Sequence, residues 1–433
     1  MLGWVFQQFN QKGTTAVAGH IQDRWWRDKK DPDTGEVVLN AKGRPVREKT
    51  DLYGIGLRYK VRYYDPDGVE RNKSFPDKQL GKAQDFLTKM QHDVLAGVFI
   101  DADAGKVKFR DYAENWLKGQ SQDAKTRQTL NGRLRNQLNP FFGHKSLAAI
   151  NAEVVRDWLE WLREKNLEAS TQAVSFDTLS SIMSAAVDDK KIRSNPCKAQ
   201  SVKKPKRIAK KIVPWSEGRL RAIQLALPPR FEIAATLGAG VGMRQGEVLG
   251  FSPDDINREE LVVNVVRQIR LIGKQLVFAP PKGGKERVVP LGQGVLDAVD
   301  AYQEQFEPIS VTLPWKEPGG RPVTVRLLIA VNSTGRLYSG QAFHEVVWKP
   351  AFKRAGLVYT AKVDGSHALR HLYASLLLAL GVSIKELADY LGHADPGFTL
   401  RTYTHLMPSS HKRARAAVDS VFRPQRAEEP RTA

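Results

Sequence analysis

Six residues in the second half of the chain have the types needed to cleave and rejoin a phosphodiester. That reaction needs a nucleophile in line with phosphorus, cations that stabilise the added negative charge, and an acid for the leaving oxygen. The six candidates lie in five short phrases, which together supply all three provisions. In chain order the candidates are Arg244, Lys282, His367, Arg370, His393 and Tyr403.

The two arginines are candidates for binding the non-bridging phosphate oxygens. Arg244 lies in GMRQGE, between a glycine-rich turn and a helical segment. Arg370 lies three residues after His367 in SHALRH, so a helix places both on one face. A guanidinium binds phosphate through paired donors that lysine does not reproduce. Glu247, three residues after Arg244, is expected to hold that guanidinium in place by a hydrogen bond.

The other candidates concern proton transfer and nucleophilic attack. Lys282 lies in the turn PPKGGKER, from which an ammonium could reach the leaving 5′ oxygen, and Lys285 is the alternative in the same turn. His393 follows the helical SIKELADYLG, where its ring can point at a phosphate. Tyr403, in RTYTH, is the candidate nucleophile. Because a free tyrosine has a pKa of about 10, its attack requires a neighbouring base and nearby cations.

Composition indicates a polyanionic partner and argues against a membrane protein. The 433 residues include 67 Lys and Arg against 47 Asp and Glu, giving a formal charge of +20. A field of that sign attracts phosphates, so nucleic acid is the first candidate. The longest apolar run is too short to span a bilayer and no signal peptide begins the chain, which predicts a cytoplasmic protein. With Cys197 as the single cysteine, an internal disulfide or a cysteine-rich zinc site is excluded.

The positioning elements predict a multidomain chain that is mainly α with small antiparallel β-sheets. Periodicity and turn residues indicate a β-hairpin followed by a helix, then a helical bundle, then a mixed α/β domain that carries the six candidates. The predicted segments are a polar extension at 1–50, a hairpin-helix module at 51–98, a helical bundle at 106–197, a basic linker at 198–213, a mixed domain at 214–422 and a disordered tail at 423–433.

Basic residues outside the mixed domain are candidate contacts to DNA. A two-stranded ribbon with a basic face fits a major groove, and a run of cations in a linker can follow a phosphate backbone. A solvated surface is the alternative explanation for each group. The hairpin candidates are Arg58, Lys60 and Arg62, the bundle candidates are Arg127 and Arg133, and the linker candidates are Lys203, Lys204, Lys206, Arg207, Lys210 and Lys211.

The ordered phrases from 244 to 403 resemble the tyrosine recombinase, or phage integrase, family. The family pattern is an arginine in a G-x-R-x-x-E-like phrase, a lysine in a β-turn, H-x-x-R, a histidine in LGH and a terminal tyrosine, and this sequence has each of them. The bundle is similar to the family's core-type DNA-binding domain. The hairpin-helix module resembles the arm-type DNA-binding domain of phage-type integrases.

The resemblance implies a complete reaction. Tyr403 would attack the scissile phosphate to form a 3′-phosphotyrosine, while Lys282 protonates the leaving oxygen and His367 assists proton transfer. Arg244, Arg370 and His393 would stabilise the transition state. It also implies a homotetramer on double-stranded attachment sites, exchange through a Holliday junction, no cofactor or metal, and accessory partners such as a DNA-bending host factor and an excision factor.

Three other functions remain open from the residues alone. His367 and His371 are four apart on a helix, as in a zinc hydrolase, but the phrase lacks the glutamate of H-E-x-x-H and places an arginine beside the site. The segment from Gly381 to His405 is similar to a helix-turn-helix, which predicts reversible DNA binding without a covalent adduct. A relaxing topoisomerase would use the same tyrosine chemistry without bringing two sites together.

Overall fold

The computed structural model describes residues 19–101, 103–120, 123–206, 211–329 and 337–406, with 415, 418, 419, 421 and 422. The described residues fall into two compact units, the first within 1–121 and 130–207 and the second within 122–129 and 208–433. Among the described helices, none is long and apolar enough to cross a membrane. The architecture is mostly helical with small antiparallel sheets, which confirms the predicted fold class.

The first unit begins with a three-stranded antiparallel sheet packed on one helix. Its central strand alternates buried Tyr59, Val61 and Tyr63 with more exposed basic residues, so one face packs on the helix and the other faces solvent. The elements are β1 (Gly19–Asp23), β4 (Tyr59–Tyr64), β5 (Glu70–Phe75) and α1 (Leu80–Leu95), with β2 (Trp26–Asp28) and β3 (Arg47–Lys49) paired as a separate ribbon.

The first strand of this sheet comes from the segment predicted to be a polar extension. β1 pairs with β4 from Gly19↔Tyr63 to Asp23↔Tyr59, so the module starts well before the predicted boundary at 51. The partner strand lies far along the chain, and the five residues GHIQD carry a weak alternating pattern on their own. The first eighteen residues of the predicted extension lie outside the described residues.

The rest of the first unit is a helical bundle with an aromatic core. Phe109, Phe142 and Trp158 are fully buried, and their rings lie in contact with centroids 5.5 and 5.3 Å apart. The main helices are α2 (Phe109–Lys118), α4 (Asn139–Phe142), α5 (Ala152–Glu164) and α6 (Ala169–Asp188). The end of α3 (Ala124–Arg133), from Leu130, also belongs to this unit, and a wider helical turn at Leu134–Leu138 joins α3 to α4.

The predicted basic linker is partly packed on the bundle. Val202 is buried in the bundle core, and Lys204 forms a 2.6 Å ion pair with Asp177 on α6. The boundary between the units falls between Arg207 and Ile208, within the range predicted for the linker. Arg207 and Lys210 lie outside the described residues, as does the predicted tail at 423–433.

The second unit has one large core to which both its helices and its short antiparallel strands contribute. Its helices are α7 (Glu217–Ala226), α8 (Pro229–Gly240), α9 (Gln245–Leu249), α10 (Gln293–Gln305), α11 (Gly340–Phe343), α12 (Lys349–Arg354), α13 (His367–Ala379), α14 (Ile384–Leu391) and α15 (Pro396–Tyr403). α8 packs closely on α13, where a Cβ added at Gly238 would lie 2.6 Å from Leu369 Cδ1. A side chain there would force the two helices apart.

The strands of the second unit form three small antiparallel groups. They are β6 (Ile256–Asn257), β7 (Val262–Val265), β8 (Gln268–Ile272), β9 (Gln275–Ala279), β10 (Arg287–Pro290), β11 (Ile309–Pro314) and β12 (Pro322–Leu327). One sheet has the order β10-β7-β6, and β8 with β9 and β11 with β12 are hairpins. In β10 the buried positions are Arg287 and Val289, so an arginine occupies an inward-facing position.

Candidate active site

The two predicted phosphate-binding arginines converge on one backbone carbonyl. Arg244 is the residue before α9 and Arg370 lies in the first turn of α13. Both donate to the carbonyl of Leu391 at the end of α14, Arg244 through Nη2 at 3.3 Å and Arg370 also through Nη2. Arg370 Nη1 donates to the carbonyl of Gly242 at 2.7 Å. Three segments of the chain therefore fix the two guanidinium groups beside each other.

A glycine turn allows the approach to Arg244. Gly242 has a φ of +68°, a conformation that costs little for glycine. A Cβ at this position would lie 2.5 Å from the Tyr373 ring, so the space is also closed to a larger residue. The turn thus ends α8, offers the Gly242 carbonyl to Arg370 and starts α9 at Arg244.

Glu247 has the role predicted for it and a larger one. Its carboxylate accepts from Arg244 Nη1 at 2.9 Å and from the Arg244 backbone N–H at 2.8 Å. It also accepts two bonds from the buried Arg287, at 3.0 and 2.7 Å. Burial alone would raise the pKa of Glu247, but the bonds and charges of Arg287 and Arg244 outweigh it and lower the pKa to about 2.

His393 is held at the end of α14 with its ring between two partners. The helix stops at Gly392, whose φ is +62°, and the His393 backbone N–H bonds to the carbonyl of Ala388 at 2.9 Å. Its Nδ1 lies 2.7 Å from Thr399 Oγ1, and its Nε2 lies 3.2 Å from Arg370 Nη2. A histidine between a hydroxyl and a guanidinium is well placed to meet a phosphate oxygen.

Tyr403 is the last residue of α15, and its hydroxyl bonds to a histidine. The side chain is 2% exposed, and the hydroxyl lies 2.8 Å from His371 Nδ1. The His371 ring is nearly perpendicular to that of His367, with centroids 5.0 Å apart. Burial raises the pKa of Tyr403, while the charges of Arg370 and Arg244 act to lower it. Tyr403 therefore lies within electrostatic reach of both arginines.

The two lysines of the β9–β10 turn have different surroundings. Both are exposed, in a turn where Gly283 and Gly284 have φ values of +84° and +71°. Lys285 lies 3.6 Å from the carboxylate of Asp389. Desolvation by burial is the main cause that lowers the pKa of His367, and the Lys282 ammonium is among the charges that lower it further. The charge of Lys282 therefore acts on a site histidine.

The site concentrates positive charge in a partly dehydrated space. Burial, reinforced by the charges of Arg244 and Arg287, lowers the pKa of Arg370 to about 9. Burial and the charge of Arg370 lower the pKa values of His371 and His393 to about 4, so both rings are neutral at pH 7. Groups that repel one another's positive charge are suited to receiving an anion.

Two site residues were not assigned a role from the sequence. Arg287 joins the site through Glu247 and also donates from Nε to the carbonyl of Tyr390 at 2.7 Å. The sequence signal for a buried Arg287 is its place in RVVP, two residues before Val289, because residues two apart on a strand face the same side. His371 was considered only as a zinc ligand, and the structure places its Nδ1 on Tyr403. In the described residues no group of three or more His, Cys, Asp or Glu could hold a metal ion.

The candidate DNA contacts on the first sheet fall into two groups. Arg58 forms ion pairs of 2.9 Å with Asp23 and 2.8 Å with Asp77, so its guanidinium is committed to the fold of the module. Lys60 and Arg62 lie on the strand face opposite the core, and Arg62 pairs with Glu70 at 2.6 Å. This arrangement favours Lys60 and Arg62 over Arg58 as contacts to a ligand.

The candidates in the helices and linker also differ in their surroundings. Arg127 is exposed on α3, whereas Arg133 donates to Thr178 Oγ1 at 3.5 Å within the bundle. Lys203, Lys206 and Lys211 are exposed, without a helix or strand around them. These linker lysines therefore remain candidates for contact with a phosphate backbone.

Comparison with known proteins agrees with this site. Residues 222–410 match the phage integrase family, and residues 108–204 match the phage integrase SAM-like domain. A tyrosine recombinase XerC-like protein of Caldanaerobacter subterraneus subsp. tengcongensis is 24% identical over 409 residues, 87% of this chain and 100% of that protein. A putative prophage phiRv2 integrase of Mycobacterium tuberculosis is 27% identical over 356 residues, 80% of this chain and 88% of that protein.

Solved structures have the same fold. The Tn1549 transposon integrase in complex with a circular intermediate DNA is 18% identical, with a TM-score of 0.58 over 72% of this chain and 99% of that chain. A lambda integrase tetramer bound to a Holliday junction is 16% identical, with a TM-score of 0.53 over 83% of this chain and 97% of that chain.

The fold and site together define a site-specific DNA recombinase. The two family matches together cover more than half of the chain. The SAM-like match lies over the segment predicted to be a helical bundle, and the phage integrase match lies in the segment predicted to be a mixed α/β domain. The chain belongs to the phage integrase family of tyrosine recombinases, which confirms the resemblance drawn from its motifs.

Proposed function

We propose that this recombinase cleaves and rejoins DNA through a covalent 3′-phosphotyrosine at Tyr403. The observation that carries the proposal is the meeting of Arg244 and Arg370 on the Leu391 carbonyl, with His393 bonded to Arg370. Tyr403 lies within the field of the same two arginines. A phosphate bound there would have paired cationic donors on its oxygens and a phenol nearby.

The charges of the protein side chains supply the transition-state stabilisation. As the attacking oxygen adds to phosphorus, negative charge grows on the non-bridging oxygens, where Arg244 and Arg370 donate hydrogen bonds. His393 donates as well once the phosphate displaces its Nε2 contact with Arg370 and that nitrogen carries the proton. The two guanidinium groups are already held by backbone carbonyls and Glu247, so they need little reorganisation at the moment of reaction. Removing one such donor typically costs about 100- to 1,000-fold in rate.

Lys282 is the proposed acid for the leaving 5′ oxygen. It lies at a glycine turn, so the ammonium can move towards a bound phosphate. Lys285 is drawn towards Asp389 instead. His367, at the start of α13, is proposed to assist proton transfer beside Arg370. The released 5′ hydroxyl then attacks the phosphotyrosine of a partner strand and regenerates the free tyrosine.

The proposed assembly is a homotetramer on two double-stranded attachment sites. Strand exchange requires two duplexes and a cleaving tyrosine for each of four strands, which four copies of this chain would provide. The lambda integrase tetramer on a Holliday junction has the same fold and supports this assembly. A DNA-bending host factor and an excision factor are the proposed accessory partners.

Integration of a mobile element or phage genome is the proposed biological role. The relatives include a prophage integrase and a transposon integrase that match most of their own length. The hairpin-helix module ahead of the bundle is proposed to bind arm-type DNA sites through Lys60 and Arg62. We place the protein in the cytoplasm of a bacterium or phage-infected bacterium, where its DNA substrate lies.

A covalent-adduct assay tests the proposed chemistry. The full chain is mixed in EDTA-containing buffer with DNA from the region flanking its own gene, and the mixture is denatured and resolved by size. We expect an adduct that survives denaturation with the wild-type chain and disappears in Tyr403→Phe. Reversible binding without an adduct would instead favour a non-catalytic DNA-binding protein.

A second assay separates recombination from relaxation. Two intact, labelled duplexes of different length are incubated together with the chain, and each contains the site at which the adduct forms. A recombinase yields products of exchanged length and a four-stranded junction on the way. Relaxation of supercoiled DNA without exchanged products would indicate a topoisomerase.

A further inference from the structure

The hydroxyl of Tyr403 has a defined partner in this structure. Its oxygen lies 2.8 Å from Nδ1 of His371, which is the fifth residue of α13. Because Tyr403 is almost fully buried, this contact replaces the water that would otherwise surround a phenol. The proton that leaves during attack therefore has a nearby acceptor within the protein.

The other two histidines of the site are engaged elsewhere. His393 lies between Thr399 Oγ1 and Arg370 Nη2. His367 contacts the His371 ring in an edge-to-face arrangement. Within the described residues, the hydroxyl of Tyr403 hydrogen-bonds to His371. Of the three site histidines, His371 is the one with a described hydrogen bond to the Tyr403 hydroxyl.

We propose that His371 is a catalytic residue that accepts the Tyr403 proton during attack and returns it during rejoining. The inference rests on the proposed function of Tyr403. In cleavage the Tyr403 O–H bond breaks, an N–H bond forms at His371 Nδ1, and the phenolate oxygen bonds to phosphorus. The bond from phosphorus to the 5′ oxygen then breaks, and that oxygen takes a proton from Lys282.

Rejoining reverses each transfer. The 5′ hydroxyl gives its proton to Lys282 and attacks phosphorus, and the bond from phosphorus to the Tyr403 oxygen breaks. His371 returns its proton to that oxygen, so both side chains regain their starting states. No oxidant, cofactor or additional nucleophile enters the balance.

The surroundings of His371 fit this role. The charge of Arg370 helps to keep the ring neutral by lowering its pKa, and a neutral ring with its proton on Nε2 offers Nδ1 as an acceptor to the Tyr403 hydroxyl. A bound phosphodiester brings a negative charge that offsets nearby guanidinium charge, so protonating His371 becomes easier once DNA is in place. The charges of Arg370 and Arg244 stabilise the Tyr403 phenolate that forms when the proton moves to His371.

A substrate with a sulfur in place of the 5′ bridging oxygen separates the two proton transfers. A thiolate leaves without an acid, so this DNA removes the need for Lys282 but leaves the need to deprotonate Tyr403. The variant is His371→Asn, because the amide oxygen can occupy the place of Nδ1 and accept the same hydrogen bond without taking a proton. The probe is a duplex containing the site cleaved by the wild-type chain.

We expect His371→Asn to cleave both the oxygen and the sulfur DNA at least about 100-fold more slowly than wild type, the lower end of the usual range for acid–base catalysis. Lys282→Ala should be slow on the oxygen DNA and recover on the sulfur DNA. Recovery of His371→Asn on the sulfur DNA, or wild-type cleavage of the oxygen DNA by this variant, would overturn the proposal.

Controls separate the role of His371 from folding and from the proposed function. His92→Gln, in which the replaced side chain is 77% exposed on α1, should cleave like the wild type. Thermal unfolding and DNA affinity of His371→Asn should match the wild type, and a loss of either would assign His371 a structural role and overturn the proposal. Failure of the wild-type chain to form an adduct through Tyr403 would instead reject the proposed function.

Discussion

Glu247 and Arg287 form a buried, two-bond ion pair that links three elements of the second unit, which carries the candidate active site and is called the catalytic unit below. The Arg287 guanidinium donates to both carboxylate oxygens at 3.0 and 2.7 Å, and its Nε donates to the carbonyl of Tyr390. The same carboxylate holds Arg244. The pair therefore ties β10 to α9 and to the end of α14, whose Leu391 carbonyl receives Arg244 and Arg370.

Removing the charge of Glu247 should destabilise the catalytic unit and reduce cleavage. In Glu247→Gln the buried Arg287 would lose its counter-ion, a change that typically costs about 3–5 kcal/mol in the free energy of unfolding. Urea unfolding and adduct formation measure the two effects. Glu260→Gln, an exposed change on the same unit, is the matched control. Equal stability of the two variants would show that the pair does not support the site.

Acid should unfold the catalytic unit through the same carboxylate. The pKa of Glu247 is about 2 in the folded chain against 4.5 ordinarily, so its contribution is complete above pH 4.5 and is lost as the pH falls towards 2. The loss is on the order of 3 kcal/mol. The free energy of unfolding in urea, measured from pH 5 to pH 2.5, should fall steeply for the wild type and less steeply for Glu247→Gln. Parallel curves would contradict the assignment.

The two turn lysines should differ in their effect on cleavage. Lys282→Ala should reduce adduct formation on ordinary DNA by about 100-fold or more, because the leaving oxygen loses its acid. Lys285→Ala should have a small effect, since Lys285 faces Asp389 at the surface. Single-turnover rates at saturating protein measure both variants. A larger loss in Lys285→Ala would exchange the two assignments.

DNA binding should weaken steeply with salt, and the linker lysines should contribute to the slope. Each phosphate that a variant no longer neutralises should reduce the slope of log K against log salt by roughly 0.9. The double variant Lys203→Ala, Lys206→Ala should therefore have a shallower slope than the wild type, and an unchanged slope would remove both lysines from the interface. Arg58→Gln is the contrasting variant, because loss of its pairs with Asp23 and Asp77 should lower stability and leave the slope unchanged.

Local sequence patterns predicted the turns and helices that carry the candidate residues, because each depends on short-range chemistry. GMRQGE places Arg244 at a glycine turn before a helix, and H-x-x-R puts His367 and Arg370 on the first turn of α13. The helix end at Gly392 follows from a glycine after SIKELADYL. These features depend on a few neighbouring residues, so they are readable without the rest of the fold.

Features that depend on distant pairing were missed. β1 joins the first sheet only by pairing with β4. The hairpin of β11 and β12 is local but was also not predicted, because prolines bound ISVTLP and PVTVRL. The roles of Arg287 and His371 arise from contacts with Glu247 and Tyr403, which lie 40 and 32 residues away. Residue type and spacing do not report such contacts.

The most direct test of the central claim is to locate the covalent bond. The denatured adduct is digested with nuclease and protease, and the modified peptide is sequenced by mass spectrometry. We predict a nucleotide joined by its 3′ phosphate to Tyr403. A nucleotide on any other residue, or one joined through its 5′ phosphate, would contradict the mechanism.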